Sequence, residues 1–373
     1  MEVISYSTQC IEQDDIDGVI EILQGKYLAQ GKKVEEFENA LCEYTGAKHA
    51  ICFNSATSAL FGAYNVCGIE HEDEIITTPN SFVATSNMFV TLGARPIWCD
   101  IKMDGNIDEK KVEALITPKT KAIVVVDFAG KPVAHKRIQE IASKHNLLLI
   151  DDASHALGSS IGKKKIGSFA DMSIFSFHAI KPITTSEGGA VITDNETYAK
   201  ELRLIRSHGV VKKEFWDADM LSMGYNFRMT EVAASLGITQ IQKLDNFIKK
   251  REIIASHYYD RFKDEKLLET IDIEKNTTSS RHLFPILLDS KLTKHKVQII
   301  KEMHEAMINV QVHYKPIYQN SFYKNLYGKV KLSIAEEFYT RELSIPCHQK
   351  MTLNDAIYVA DTLLKILNKY AQQ

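Results

Sequence analysis

A lysine near the middle of the chain has a setting that could make it a nucleophile. Lys181 lies in the segment FSFHAIKPITTSEGG, shortly after an apolar run at 173–177 that predicts a β-strand. Pro182 disfavours a helical conformation for Lys181, and the neighbouring residues are apolar or small and polar. A lysine withdrawn from water has a lowered pKa, so it can be a neutral amine near pH 7 and form a Schiff base. A solitary lysine is more commonly a solvated surface charge, so the interpretation depends on its partners.

Two carboxylates and a histidine follow an earlier apolar run. The sequence IDDASHALG places Asp151 and Asp152 at the end of the run 147–152, and His155 comes three residues after Asp152. Ligands of open α/β sheets bind at the carboxyl ends of the strands. An acid there could hold a cationic ring nitrogen, and His155 could contact the same ring. A strand-end turn capped by aspartate is the alternative, and these residues alone leave both readings open.

Small and hydroxylated residues open a predicted helix after the first strand. The cluster is Asn54-Ser55-Ala56-Thr57-Ser58-Ala59-Leu60, and its free backbone N–H groups could bind a phosphate at the positive end of the helix dipole. An ordinary N-cap is the alternative. The chain lacks a P-loop lysine motif and GxGxxG, which disfavours a nucleotide hydrolase and a Rossmann dehydrogenase. The order of phosphate cradle, ring-nitrogen acid and lysine, each at a strand end, favours one shared site.

The segments that carry these residues alternate between β-branched runs and amphipathic stretches, which is typical of an α/β domain. The runs 122–128 and 147–152 flank a helical stretch at 135–145 and predict parallel strands buried on both faces. Further strands are predicted at 49–53, 74–78, 96–99, 172–177 and 189–193, with helices at 55–66 and 82–92.

After Asn195 the pattern becomes helical, and residues 230–262 predict one long helix that could bridge two domains. The remainder predicts a strand at 282–288 and helices at 294–307 and 353–367. We therefore predict a large domain at 1–245, whose N-terminal segment contributes to the substrate site, and a small C-terminal α/β domain at 246–373.

The composition predicts a globular protein that works on small molecules. The 45 basic and 48 acidic residues give a formal charge of -3, which argues against a surface for nucleic acid or an anionic membrane. Neither an export signal nor a run of about 18 apolar residues is evident. The six cysteines show no CxxC spacing, so we expect neither a metal site nor a disulfide framework, and we expect a cytoplasmic protein.

The motifs SATSAL, DDASHALG and FSFHAIKPITTSEGGAV resemble those of the DegT/DnrJ/EryC1/StrS family of sugar aminotransferases. The resemblance covers essentially the whole chain. It implies the type I (aspartate aminotransferase-like) fold of pyridoxal-phosphate-dependent transferases, with a large, mostly parallel sheet domain and a smaller C-terminal α/β domain. It also implies that Lys181 binds pyridoxal 5′-phosphate covalently. Some members are dehydratases with histidine in place of this lysine, so the lysine favours transamination.

The resemblance assigns the other residues around the cofactor as well. Asp152 would bind the pyridine nitrogen, His155 would lie near the ring, and Phe82 in NSFVAT would stack on it. The residues expected to contact the phosphate are Ala56, Thr57 and Ser176.

A narrower resemblance rests on GKYLAQGKKVEEFE, IRSHG, GYNFRMTE, VHYKPIY and IPCH. It points to members that aminate C4 of a UDP-linked 4-keto-6-deoxy-N-acetylhexosamine in pseudaminic acid biosynthesis, with L-glutamate as donor. For VHYKPIY, an edge strand that turns at Pro316 is the alternative. Residues that could supply hydrogen-bond donors, stacking faces and cations to the UDP-sugar are Tyr6, Lys26, Tyr27, His313, Tyr314 and Lys315. Leu28 and Ala29 are also expected at the substrate.

The resemblance also implies a homodimer with composite active sites. Asn226 in GYNFRMTE would reach the cofactor phosphate of the neighbouring subunit, whereas a helix cap is the alternative for this asparagine. Nearby Arg228 could meet a phosphate or the donor carboxylate. Two rival functions stay open, namely C4 amination of another nucleotide keto sugar, of the perosamine or aminoarabinose type, and a non-catalytic cofactor-binding regulator.

Overall fold

A computed structural model describes residues 2–372 of the chain. The α-helices are α1 (Gln13–Gln24), α2 (Lys33–Thr45), α3 (Ala56–Val66), α4 (Ala84–Thr91), α5 (Glu109–Val112), α6 (His135–His145), α7 (Glu196–Arg206), α8 (Glu231–Phe262), α9 (Lys296–Glu305), α10 (Ser321–Tyr327), α11 (Ser333–Arg341) and α12 (Leu353–Ala371). The strands are β1 (His49–Phe53), β2 (Glu74–Thr77), β3 (Arg95–Trp98), β4 (Thr120–Val126), β5 (Leu148–Asp152), β6 (Ser160–Ile161), β7 (Lys164–Lys165), β8 (Met172–Ser176), β9 (Gly189–Thr193), β10 (Val210–Glu214), β11 (Asp217–Met220), β12 (Leu268–Thr270), β13 (Thr277–Thr278), β14 (Phe284–Leu288) and β15 (Glu342–Ile345). Among these residues, no helix combines the length and apolar character needed to cross a bilayer.

Seven strands form the central sheet in the order β1-β9-β8-β5-β4-β2-β3. Pairing is parallel from β8 to β3, and β9 pairs antiparallel with both β1 and β8. Helices α3, α4 and α7 pack on one face, while α2, α6 and the first half of α8 pack on the other. Strands such as β4 are nearly continuous apolar runs because both faces are covered. The predicted α/β fold with a large, mostly parallel sheet is confirmed.

The strand directions bring the three chemical segments to one edge of this sheet. Because β1 and β8 both run antiparallel to β9, they point the same way, and β5 runs parallel to β8. Their carboxyl ends at Phe53, Asp152 and Ser176 therefore meet at a single edge. The loops and the helix that follow these strands carry the candidate site.

The C-terminal part has its own hydrophobic cluster. Strands β12, β14 and β15 form an antiparallel sheet, and the second half of α8 packs with α9 and α12 against it. The N-terminal segment also joins this cluster, because Ile4 packs into it and donates from its N–H to the carbonyl of Met307 at 2.9 Å. The predicted division between 1–245 and 246–373 falls inside the continuous helix α8, and it stays a prediction.

Most elements expected from periodicity are present within a few residues of the expected bounds. Helix α6 and strand β9 have the expected bounds, and the long helix begins one residue later than expected. After Asn195 the structure has the expected helical character in α7 and α8, but the hairpin of β10 and β11 between them was not predicted. Nearly every hairpin residue is exposed, so the segment lacks the alternation of buried and exposed residues that identifies a strand.

Candidate active site

A cavity of about 650 Å³ opens at the carboxyl edge of the sheet and is closed on the opposite side by segment 311–314. Its volume lies within the range of small-molecule sites. Predicted residues that line the cavity are Tyr6, Ala56, Thr57, Phe82, Asp152, His155, Ser176, Lys181, His313 and Tyr314. Residues separated by up to 308 positions in sequence thus share one site, as the motif order suggests.

Lys181 lies in the loop after β8 and extends its amine into the cavity. Its Nζ atom is 3.4 Å from Nε2 of His282. Burial lowers the pKa of Lys181 to about 8, and the nearby Asp152 carboxylate opposes this effect. A large fraction of the lysine is therefore a neutral amine at mildly alkaline pH, as a nucleophile or general base requires.

Hydroxyl donors hold the carboxylate of Asp152. Thr85 donates from Oγ1 to Oδ2 of Asp152 at 2.6 Å, and Ser81 lies 2.7 Å from the same hydroxyl. The Ser154 N–H group donates to Oδ1 at 3.2 Å, and the Ser154 hydroxyl binds the same oxygen. These bonds fix the carboxylate so that it can meet a cationic nitrogen in the cavity. Sequence reasoning missed Thr85 and Ser154, although both lie within three residues of predicted ones.

Asp151 points away from the cavity, as strand alternation requires. Its Oδ2 atom lies 3.8 Å from Nε2 of His135, which is 3.0 Å from Oδ1 of Asp127. Ligand-type atoms of these three residues lie within 4.8 Å of one another, although the sequence predicts no metal site. Burial favours the neutral ring of His135, but the Asp127 carboxylate outweighs it and raises the pKa of His135 to about 9. His135 and Asp127 therefore form a buried ion pair. Burial, together with Asp127, raises the pKa of Asp151 well above its usual range.

His155 is held in one tautomer. The backbone N–H of Ala129 donates to Nδ1 of His155 at 3.3 Å, so this nitrogen carries no proton. Burial and the charge of Lys181 lower the pKa of His155 well below its usual range, so its single proton lies on Nε2. The Tyr314 hydroxyl oxygen is 3.2 Å from Nε2 and accepts this proton's hydrogen bond. The Tyr314 hydrogen is then free to point to a ligand.

The start of α3 has free N–H groups that face the cavity. The Ser55 side chain caps the helix by accepting from the N–H of Ser58 at 3.1 Å, which confirms the N-cap reading of this cluster. The cap leaves the N–H groups of the first turn without helical partners, and Ala56 and Thr57 face the cavity. Strand β9 passes close to the start of α3, and position 189 must be glycine because a Cβ there would lie 2.5 Å from the backbone nitrogen of Ala56. The Ser55 cap is therefore compatible with an anion at the same helix end, and the phosphate contacts of Ala56 and Thr57 stay a prediction.

Contacts with β15 hold segment 311–314, which lines the cavity on the side away from the central sheet. The N–H of His313 donates to Oε2 of Glu342 at 2.8 Å, and Nδ1 of His313 lies 2.9 Å from the Ser344 hydroxyl. Gln311 pairs with Ser344 through two backbone hydrogen bonds. The residue before the VHYKPIY segment, Gln311, thus forms an isolated antiparallel bridge with β15, but the segment itself belongs to no strand, so the edge-strand alternative is wrong.

Six of the predicted residues lie outside the cavity, and their roles stay predictions, as do the roles of the residues that line it. The exposed residues of the loop between α1 and α2 are Lys26, Tyr27, Leu28 and Ala29. Lys315 is also exposed, next to the buried Pro316. Asn226 is exposed near the end of β1, where its carbonyl accepts from the side chain of Asn54 at 3.4 Å.

The cavity fits pyridoxal 5′-phosphate in the chemistry of its donors. The Asp152 carboxylate suits a protonated pyridine nitrogen, the Lys181 amine suits an aldehyde carbon, and the α3 N-terminus with Ser176 suits a phosphate. His155 and Phe82 supply two rings that can lie against the cofactor. The fold and the site together define an enzyme that depends on pyridoxal phosphate.

Comparison with known proteins narrows this class. The model of the DegT/DnrJ/EryC1/StrS aminotransferase family matches residues 9–364. A Campylobacter jejuni protein named UDP-4-amino-4,6-dideoxy-N-acetyl-beta-L-altrosamine transaminase is 52% identical over 370 residues, which cover 98% of each chain. A Helicobacter pylori protein of the same name is 45% identical over 99% of each chain.

Solved structures agree with the sequence relatives. Helicobacter pylori PseC, an aminotransferase involved in the biosynthesis of pseudoaminic acid, superposes with a TM-score of 0.96 at 44% identity, covering 99% of this chain and 100% of PseC. A Streptococcus pneumoniae protein described as a sugar aminotransferase, solved in its PMP and PLP forms, has TM-scores of 0.95 and 0.94 at 29% and 28% identity over 99% of each chain. The chain belongs to the DegT/DnrJ/EryC1/StrS aminotransferase family. It is an aminotransferase, and its cofactor is pyridoxal 5′-phosphate.

We predict that borohydride will attach the cofactor irreversibly to a single peptide that contains Lys181. Because only the neutral amine attacks, attachment of pyridoxal phosphate to cofactor-free protein should accelerate as the pH rises through about 8. An ordinary lysine would require a pH near 10.4, that is, about its unperturbed pKa. Peptide mass spectrometry gives the position, and absorbance gives the rate, with Lys181→Arg as the control. A labelled peptide that contains a different lysine would refute the assignment.

Asp152→Asn is expected to keep the fold and to lower kcat by roughly 100-fold or more, because it removes the charge that keeps the ring nitrogen protonated. Asp151→Asn should be milder, because this side chain points to the His135 cluster. Steady-state transamination and the visible spectrum of the bound cofactor measure the difference. Equal activity of the Asp152→Asn variant and the wild type would disprove the role.

Proposed function

We propose that this protein transfers the amino group of L-glutamate to C4 of a UDP-linked 4-keto-6-deoxy-N-acetylhexosamine in pseudaminic acid biosynthesis. The sugar is UDP-2-acetamido-2,6-dideoxy-β-L-arabino-hexos-4-ulose. The observation that carries this proposal is the Lys181 amine beside Asp152 in a cavity of about 650 Å³. Support for the particular sugar comes from the Campylobacter jejuni transaminase, which is 52% identical over 98% of both chains.

Lys181 acts as the proton-transfer group in both halves of the reaction. In the first half its neutral amine takes the proton from the α-carbon of glutamate and would pass it to the carbon of the bound cofactor that carries the amino group. In the second half the amine would take a proton from that cofactor carbon and deliver it to C4 of the sugar. When bound, pyridoxal phosphate supplies the electron sink that stabilises negative charge at these carbons. Burial lowers the pKa of Lys181 to about 8, so the amine can both accept and release a proton near neutral pH.

The remaining cavity residues orient the cofactor and the sugar nucleotide and exclude water. Asp152, held by Thr85 and Ser154, keeps a proton on the ring nitrogen that faces it. On the opposite wall, His313 and Tyr314 offer hydrogen-bonding atoms to the sugar nucleotide, and segment 311–314 shields the amine from water. Burial raises the pKa of Tyr314, which keeps its hydroxyl protonated as a donor.

A homodimer with composite sites accounts for the predicted residues that lie outside the cavity. Lys26, Tyr27, Leu28 and Ala29 are exposed together, and Tyr27 and Leu28 expose 58% and 54% of their surface. Asn226 is likewise exposed. We propose that these residues complete the site of a neighbouring subunit, with Asn226 at the cofactor phosphate and residues 26–29 at the nucleotide. We also place the protein in the cytoplasm, which agrees with six free cysteines.

Purified protein is expected to aminate the UDP-linked 4-keto sugar with glutamate at a rate that follows ping-pong kinetics. A panel that includes a GDP-linked 4-keto-6-deoxyhexose and a UDP-linked 4-ketopentose tests the perosamine and aminoarabinose alternatives. Mass spectrometry and NMR of the product identify the aminated carbon and its stereochemistry. Faster turnover of another panel member would replace the proposed sugar, and no turnover of any sugar by cofactor-loaded protein would favour the regulator.

Mixed dimers test the composite site. If Asn226 serves the neighbouring subunit, mixing Lys181→Ala and Asn226→Ala subunits gives heterodimers with one doubly damaged site and one intact site. Random pairing of equal amounts then restores about one quarter of wild-type activity, provided that each homodimer is inactive. Native mass spectrometry verifies subunit exchange. Absence of recovery after demonstrated exchange would place Asn226 in the site of its own subunit.

A further inference from the structure

His282 is the closest hydrogen-bonding partner of the Lys181 amine in the structure, although no motif identifies it. Its Nε2 atom lies 3.4 Å from Nζ of Lys181, and only 1% of the histidine is exposed. The residue comes from the segment between β13 and β14, about one hundred positions beyond the lysine. A residue so placed can act on the amine in every state in which Lys181 is not bonded to the cofactor.

Two separate parts of the fold hold the His282 backbone in place. Arg251, in α8, donates from one guanidinium nitrogen to the carbonyls of Arg281 at 2.9 Å and His282 at 3.3 Å. Ser280 donates from its N–H to the Ser159 hydroxyl at 2.9 Å and from its own hydroxyl to the carbonyl of His155 at 2.6 Å. The segment is therefore fixed to α8 and to the loop after β5, which keeps the imidazole beside the amine.

We propose that His282 is a positioning residue whose Nε2 atom accepts a hydrogen bond from the free amine of Lys181. Burial and the positive charge of Lys181 lower the pKa of His282 well below its usual range, so its ring is neutral. A neutral imidazole has one acceptor nitrogen, and a lysine ammonium has donors only. Beside the protonated lysine, Nε2 therefore presents its lone pair, and the single proton of His282 lies on the buried Nδ1, which has no hydrogen-bond partner among the described residues.

The bond has a direct consequence for proton transfer by Lys181. A hydrogen bond to an ammonium group is stronger than one to a neutral amine, so His282 favours the protonated lysine. It thereby offsets part of the desolvation that lowers the pKa of Lys181 to about 8. The titratable or charged groups that bear on this pair from the surrounding elements are Asp152, His155, Arg251 and His313. Asp152 also favours the ammonium, whereas the cationic Arg251 disfavours a charged His282.

Replacement of the acceptor by an apolar ring tests this role. We compare His282→Phe with His282→Gln, whose amide oxygen can still accept, in full-length protein loaded with pyridoxamine phosphate, the state that leaves Lys181 unbonded. Competitive acetylation at a series of pH values, followed by peptide mass spectrometry, gives the pKa of Lys181. For His282→Phe this pKa should fall by about one unit, because a hydrogen bond to a charged group contributes about 1.5–3 kcal/mol and one unit corresponds to about 1.4 kcal/mol. For His282→Gln it should stay within about half of that shift.

A second measurement links the pKa to chemistry without the sugar substrate. In single turnovers with glutamate at about pH 9.5 or above, where Lys181 is neutral in both proteins, proton removal should be up to roughly tenfold slower in His282→Phe because its amine is the weaker base, and His282→Gln should recover part of the rate. An unchanged Lys181 pKa in a folded His282→Phe protein would overturn the proposal. A higher pKa would also overturn it, because it would mean that His282 is a cation. Should His282→Phe fail to fold, as judged by its thermal transition, His282→Leu provides the same comparison.

Discussion

Lys181 must lose most of its hydration before it can be a neutral amine near neutral pH, and no single element of the fold can shield it alone. The carboxyl edge of the central sheet forms one side of the cavity around Lys181, with Asp152 and Ser176 at strand ends. Segment 311–314 and His282 come from the other side, where the C-terminal sheet and α8 hold them. Desolvation without a compensating charge would lower the pKa of the lysine further. The Asp152 carboxylate opposes this effect, and the pKa of Lys181 is about 8.

The same balance explains why hydrogen bonds cluster around the charged groups of the site. A buried carboxylate without donors is costly, and Thr85 and Ser154 satisfy Asp152 without neutralising it. His155 is handled differently, because a backbone N–H from the Ala129 turn determines where its proton lies. Ala129 adopts a left-handed conformation with φ of 58°, which is uncommon for a residue with a side chain. That conformation is part of the turn that presents this N–H to the ring.

Much of the large domain could be predicted from the sequence because its signals are local. Continuous apolar runs identified β4 and β5, helical periodicity identified α6 and α8, and small residues after β1 identified the start of α3. The cavity-lining residues at strand ends followed from the rule that ligands bind at the carboxyl edge of a parallel sheet. The resemblance to a family then supplied specific roles that spacing alone left open.

The remaining features depend on contacts that the sequence does not encode locally. His282 reaches Lys181 only because Arg251 and Ser280 hold its backbone against distant elements. Glu342 and Ser344 lie on one face of β15, yet only the tertiary structure reveals that this face meets His313. The hairpin of β10 and β11 escaped prediction for the opposite reason, since it packs against little and has no buried face.

Strand β5 places two acids in succession, and the two have unrelated tasks. Asp152 faces the cofactor cavity, while Asp151 faces the buried ion pair of His135 and Asp127. Neighbours on both sides fix the strand, because Asp151 is paired with Val125 of β4 and with Ser173 of β8. A register shift of one residue would turn Asp151 toward the cavity and Asp152 toward the ion pair. Each carboxylate would then lack the partners that its present face provides. Pairing with β4 and β8 thus determines which of the two carboxylates faces the cavity before any ligand binds.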